Sequence, residues 1–259
     1  MKRLMAKYVI LTYLVFFVFI GIIGFVMFIL KQETLGKILQ IISAWTSTFV
    51  FLYLFKKIYP DDKILDYIKR QFSERIKISI LFLTIGLMII LLIGNIITFG
   101  IYNNKILSEL VILSPVTLVI LFFSNIISGP LGEELGWRAF FLTELQKKHK
   151  IIKSGIITGI LWGFWHAPLW FATTGFTGIS LIVYCVSFML AIISFSVIIT
   201  ILYNHNRNLI IPILGHQLFN YFLGIQKSEL LLLLVVNAII LLIMALLLAM
   251  INNKIMNKS

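Results

Sequence analysis

Residues 230–251 read LLLLLVVNAIILLIMALLLAMI, an apolar run without a charge in which Asn237 is the one polar side chain. A helix needs about 20 such residues to cross ~30 Å of hydrocarbon at ~1.5 Å of rise each. It must be a helix, because lipid offers no partner to exposed backbone N–H and C=O groups. Working outward, comparable runs occupy 8–30, 38–55, 78–99, 107–129, 151–171, 179–203 and 209–224. The sequence therefore predicts an all-α polytopic membrane protein with about eight transmembrane helices. No stretch shows the alternating polarity of a membrane β-strand.

Composition agrees. Of 259 residues, 60% are hydrophobic and 12% charged, with a mean hydropathy of +1.04; soluble domains carry about 25% charged residues. The net charge of +12 invites a nucleic-acid partner, yet the cations follow the membrane rather than one face of a folded domain. With the N-terminus inside, the cytoplasmic segments hold Lys2, Arg3 and Lys7, the cluster from Lys56 to Lys77, Lys147, Lys148, Lys150, Lys153, Arg207, Lys254 and Lys258. The outer segments hold only Lys31, Lys37, Lys105 and Lys227. That is the positive-inside pattern, so both termini are expected in the cytoplasm, the basic clusters against anionic lipid, and the chain in the cell (plasma) membrane, with no nucleic-acid partner.

The first run is too long for a signal-peptide core and lacks a small-residue cleavage site, so it is expected to remain as an anchor. Cys185 is the single cysteine, which excludes an intramolecular disulfide. The loop 56–77 mixes charges, and its Ile64, Leu65, Ile68 and Phe72 recur at helical spacing, as in an amphipathic helix on a membrane surface. No linker or repeat divides the chain. It reads as one integrated domain: N-terminal helices with that loop over 1–105, a core over 106–225, and a last helix with its tail over 226–259.

Against so apolar a background, ionisable residues inside the spans mark function or pairing. Three groups stand out: Gly-Glu133-Glu134-Leu-Gly-Trp-Arg138, Trp162-Gly-Phe-Trp-His166-Ala-Pro168 and His216-Gln-Leu-Phe-Asn220. Pro130 suits the first turn of a helix, where its missing N–H has no intrahelical acceptor. Glu134 and Arg138, acid before base and four apart, are placed to pair. Glu133 lies ~100° round the helix and is left free for chemistry. Gly155, Gly159 and Gly163 form a small-residue stripe for close helix approach, and His166 falls within ~20° of it, facing protein. His216 and Asn220 share one face a turn apart.

The turn near His149 and Lys150 lies about 16 residues from both Glu133 and His166, so each arm climbs ~24 Å. An antiparallel hairpin brings acid and imidazole to one level. His216 lies only ~10 Å inside the start of its own span, so either the hairpin projects from the membrane or one span end is displaced.

The ordered set Glu-Glu-x-x-x-Arg, aromatic-x-x-x-His and His-x-x-x-Asn resembles the CAAX-protease and bacteriocin-processing (Abi) family. Gly-Pro-x-Gly before the acids and His-Ala-Pro after Trp165 add to the likeness, which covers about residues 110–225. Trp162 stands where eukaryotic members more often carry phenylalanine. The resemblance makes 106–225 an Abi/CAAX-protease-like core. It implies an intramembrane endopeptidase acting on a membrane-associated protein or peptide. Resemblance and helical geometry together give Glu133 as the base that deprotonates water, His166 as its orienting partner, and His216 and Asn220 as oxyanion donors. Glu134, Arg138 and Trp162 then support the site. Glu133, His166 and His216 are also candidate zinc ligands, so zinc and metal-free chemistry both remain open.

Other protease chemistries fit less well. No His-Glu-x-x-His occurs, Asp61, Asp62 and Asp66 all lie in the 56–77 loop, and Ser124 and Ser128 lack a dyad's context. A different class, a non-catalytic bacteriocin-immunity or peptide-binding membrane protein, is the alternative. A transporter would be expected to show repeat halves with broken helices, which are not apparent.

Overall fold

The computed structural model describes residues 1–172 and 174–256, so Lys258 lies outside the described residues. Among the described residues the chain is all-α, with one isolated antiparallel bridge between Val111 and Gln226. It is a multi-pass membrane protein. Five helical stretches are long and apolar enough to cross a bilayer: Lys2–Ile29, Ile78–Asn103, Pro115–Gln146, Gly178–His205 and Leu230–Lys254. A sixth arises if Glu33–Ala44 and Thr46–Ile58, bent by 47°, count as one broken span.

In chain order, α1 (Lys2–Gly24) runs into a wider π-turn (Phe25–Ile29). α2 (Glu33–Ala44) and α3 (Thr46–Ile58) make the bent pair, and α4 (Ile64–Gln71) is the short helix expected in the basic loop. It docks through buried Tyr67, whose hydroxyl donates to the Ala139 carbonyl at 2.9 Å. Leu65 and Phe72, two of the apolar positions read from the spacing, are exposed. α5 (Ile78–Asn103) is a full span, and α6 (Leu107–Leu110) is one turn.

The expected 107–129 span differs most. α7 (Pro115–Ile127) passes through a short break into α8 (Pro130–Glu134), a π-segment (Leu135–Leu142) and α9 (Thr143–Gln146). The span does not end at the acids. Glu133, Glu134 and Arg138 are buried, with Arg138 beside Glu134, and the apolar helical stretch runs on past them to Gln146.

The hairpin's second arm is α10 (Ile151–Trp165), followed after His166 by α11 (Ala167–Ala172). The predicted 151–171 helix breaks there, beside Pro168, whose ring cannot continue the ladder. α12 (Gly178–His205) packs along α10 and α14 (Leu230–Met256), and α13 (Ile210–Gly224) packs against α5 and α7. α10 and α13 have 15 residues each, ~22 Å of rise, too short for ~30 Å of hydrocarbon. Both carry predicted site residues, and both bury one face against protein.

The glycine stripe explains how α10 sits so close to α12. A Cβ on Gly159 would lie 2.8 Å from the Ile193 Cα, and one on Gly155 would meet the Val197 Cα at 3.2 Å. Hydrogen presents the only side chain small enough for this contact, the usual device for helix association in lipid. α10 is thus held against the long, buried α12, with His166 at its end.

Candidate active site

Pro130 occupies the first turn of α8, as expected. The π-segment that follows is wider than an α-helix, a form frequent at functional sites. It leaves Glu133 4% exposed and Glu134 and Arg138 fully buried. Arg138 Nε approaches Glu134 Oε2 to 3.4 Å, the predicted pair. Its guanidinium also lies over the Trp162 ring, 4.4 Å from the centroid.

Trp162 connects the rest. Its indole N–H donates to Glu133 Oε2 at 2.6 Å, leaving Oε1 for other partners. Its backbone carbonyl accepts a hydrogen bond from His166 Nδ1 at 2.8 Å. A carbonyl only accepts, so Nδ1 carries the hydrogen and Nε2 is the free acceptor of the neutral ring. His216 Nδ1 donates to Glu134 Oε1 at 2.8 Å, so Glu134 serves an imidazole as well as Arg138. The His216 ring packs against Trp162 with centroids 5.1 Å apart.

Asn220 arrives one turn beyond His216. A Cβ built on Gly129 would meet Asn220 Nδ2 at 3.0 Å and Glu133 Oε1 at 3.8 Å. Amide and acid therefore face a common space across a glycine that offers them no side chain. Glu133, His166, His216 and Asn220 all line one cavity of about 700 Å³. The predicted catalytic residues are brought together, while Glu134 and Arg138 lie behind them.

The other walls come from α1 and α2, through Phe16, Ile20, Lys37 and Gln40, and from α12 through Phe188 and Ile192. Hydropathy marks the first two helices only as spans and gives no sign that they enclose the site. Gly132 marks the contact: a Cβ there would meet the Trp45 ring at 2.8 Å, at the bend between α2 and α3.

A catalytic zinc would need three ligands from this donor set. Among the described residues no three His, Cys, Asp or Glu side chains gather closely enough to hold a metal ion. Glu133 Oε2 is turned to an indole N–H, a donor that competes with a cation. As placed, Glu133, His166 and His216 do not make a ligand set.

These features define the class: a helical membrane protein with a buried acid–imidazole–amide site inside its bundle. Residues 115–222 match the family model described as Type II CAAX prenyl endopeptidase Rce1-like. The chain is also 36% identical over 92 residues to a CAAX prenyl protease 2 of Methanococcus maripaludis, a match covering 34% of this chain and 34% of that relative. The chain thus spans about a third of the length of the curated relative it matches. All three motifs fall inside the matched segment, so the likeness to that family rests on the part of the chain that carries the candidate site.

Proposed function

We propose that this protein is an intramembrane endopeptidase that hydrolyses a peptide bond in a membrane-associated protein or peptide by water activation on Glu133. The observation that carries this reading is the double use of Trp162, which aims an acid and an imidazole into one cavity. Two acceptors so aimed suit a water molecule, one hydrogen directed to Glu133 Oε1 and the other to His166 Nε2. Glu133 takes the first proton as the oxygen attacks the substrate carbonyl carbon. The carbonyl oxygen, now an oxyanion, receives Asn220 Nδ2–H and His216 Nε2–H. With Nδ1–H given to Glu134, His216 offers Nε2–H only as imidazolium, and the Glu134 carboxylate balances that charge. Glu133 then hands its proton to the leaving amine as the C–N bond breaks. A positioned acid–base group of this kind contributes roughly 10²–10⁴-fold in rate.

Apolar walls around Phe16, Ile20, Leu223 and Leu234 favour a substrate already in the membrane. The relative's name adds prenylated termini to the substrates worth testing. The charge pattern supports both termini in the cytoplasm and residence in the cell (plasma) membrane. The test compares peptides and protein termini from membranes of cells carrying the intact chain, Glu133→Gln or His166→Ala. Products present only with the intact chain are expected. Identical profiles from all three, with the variants folded, would overturn the reading.

A further inference from the structure

We propose that a second groove, away from the site, holds an anionic phospholipid between α1 and the hairpin that carries Glu133 and His166. A cavity of about 460 Å³ opens between the first turns of α1 and the α9–α10 turn. Its floor is apolar, with Val9 and Ile10 on one side and Ile157 and Leu161 on the other. Its rim carries Lys2, Lys148 and His149. Lys2 and Lys148 are exposed, and neither is in an ion pair among the described residues.

The acid in the groove does not neutralise them. Glu144 is engaged by Lys147 Nζ at 2.6 Å and by the Tyr59 hydroxyl at 2.6 Å. The rim thus presents positive charge, while the floor runs ~12 Å along α1 from Lys2 to Ile10. Cations at one end of an apolar trough, on a helix that crosses the membrane, match a lipid phosphate above its acyl chain. Lysines at that level favour an anionic headgroup over a zwitterionic one. The chain would also brace the hairpin. α1 and α10 are joined by the Tyr13 hydroxyl, which donates to the carbonyl of Leu161, a residue of the groove's own lining.

The test reads stability and bound lipid, which do not depend on the catalytic reading. The full chain is placed in phosphatidylcholine bilayers with or without phosphatidylglycerol, its unfolding temperature is measured, and retained lipid is identified by native mass spectrometry. Phosphatidylglycerol is expected to raise the unfolding temperature by several degrees and to stay bound. Lys2→Ala with Lys148→Ala should remove both effects, and Lys2→Arg with Lys148→Arg should keep them. Val9→Trp, which fills the trough but leaves the lysines, should also remove them. Lys63→Ala with Lys69→Ala, basic residues elsewhere, should change nothing. Equal stability in the two bilayers, equal retention of phosphatidylcholine, or a phosphatidylglycerol effect that survives Val9→Trp would each overturn the proposal. If the double alanine variant does not fold, the arginine pair and Val9→Trp decide.

Discussion

Trp162 gives its indole N–H to Glu133 Oε2 at 2.6 Å, while its own carbonyl holds His166 Nδ1 at 2.8 Å. Trp162→Phe separates the two duties. The ring keeps its place over Arg138 and the backbone keeps His166, but Glu133 loses its donor. A hydrogen bond to a charged group is worth about 1.5–3 kcal/mol, and ~1.4 kcal/mol is tenfold in rate. The expected result is a fall in kcat of about 10- to 100-fold with KM little changed. A variant with unchanged kcat would show that the indole N–H does not set the acid.

Gly129→Ala tests the space shared by Asn220 and Glu133. The new methyl would stand 3.0 Å from Asn220 Nδ2 and 3.4 Å from the Asn125 carbonyl oxygen. The backbone carbonyl yields least, so the Asn220 amide must turn away. Loss of one oxyanion donor costs roughly 10²–10³-fold in kcat, and that range is expected with a fold still intact by thermal unfolding. Full activity would remove Asn220 from the oxyanion role.

Arg138 has no exposed surface and lies 3.4 Å from Glu134. Arg138→Ala leaves Glu134 buried with only His216 as its partner. Breaking a buried pair from one side costs about 3–5 kcal/mol. A marked drop in unfolding temperature in detergent is expected. Arg138→Lys should not restore it, because a compact ammonium does not stack flat on Trp162 as a guanidinium does.

Long apolar runs are legible in sequence because hydrocarbon leaves the backbone a single local solution, and α1, α5, α12 and α14 lie where the runs are. The end of the 107–129 run misled for the same reason. Charge normally stops a span, but Glu134, Arg138 and His216 answer one another internally, and the helical path runs on to Gln146. The His216–Glu134 bond joins residues 82 apart in sequence, and no periodicity reports such a contact. Spacing gave the pair Glu134 and Arg138 because their partnership is local, one helical turn. It put an aromatic at Trp162 but not its N–H on Glu133, which depends on how α10 lies beside the π-segment. Gly155, Gly159 and Gly163 announced that close approach, though not α12 as the partner.

Glu74 links the loop after α4 to the turn that launches α13 and its His216. Its Oε1 accepts from Asn206 Nδ2 at 2.9 Å, and its Oε2 accepts the Arg207 backbone N–H at 2.8 Å. Partial burial pushes this carboxyl up, but those two donors and the Lys77 ammonium pull it further down, leaving it below the usual carboxylate range. A depressed folded-state pKa stabilises the fold above the unfolded value, ~4.3 for glutamate. That contribution is lost as pH falls through the folded value. Glu74→Gln keeps an acceptor for Asn206 but sets an amide N–H₂ against the Arg207 N–H. The intact chain should therefore unfold at a higher temperature than Glu74→Gln at neutral pH, and the gap should close as pH drops below ~4.3. A gap that stays constant across that range would mean that the Glu74 charge does not hold the α12–α13 turn.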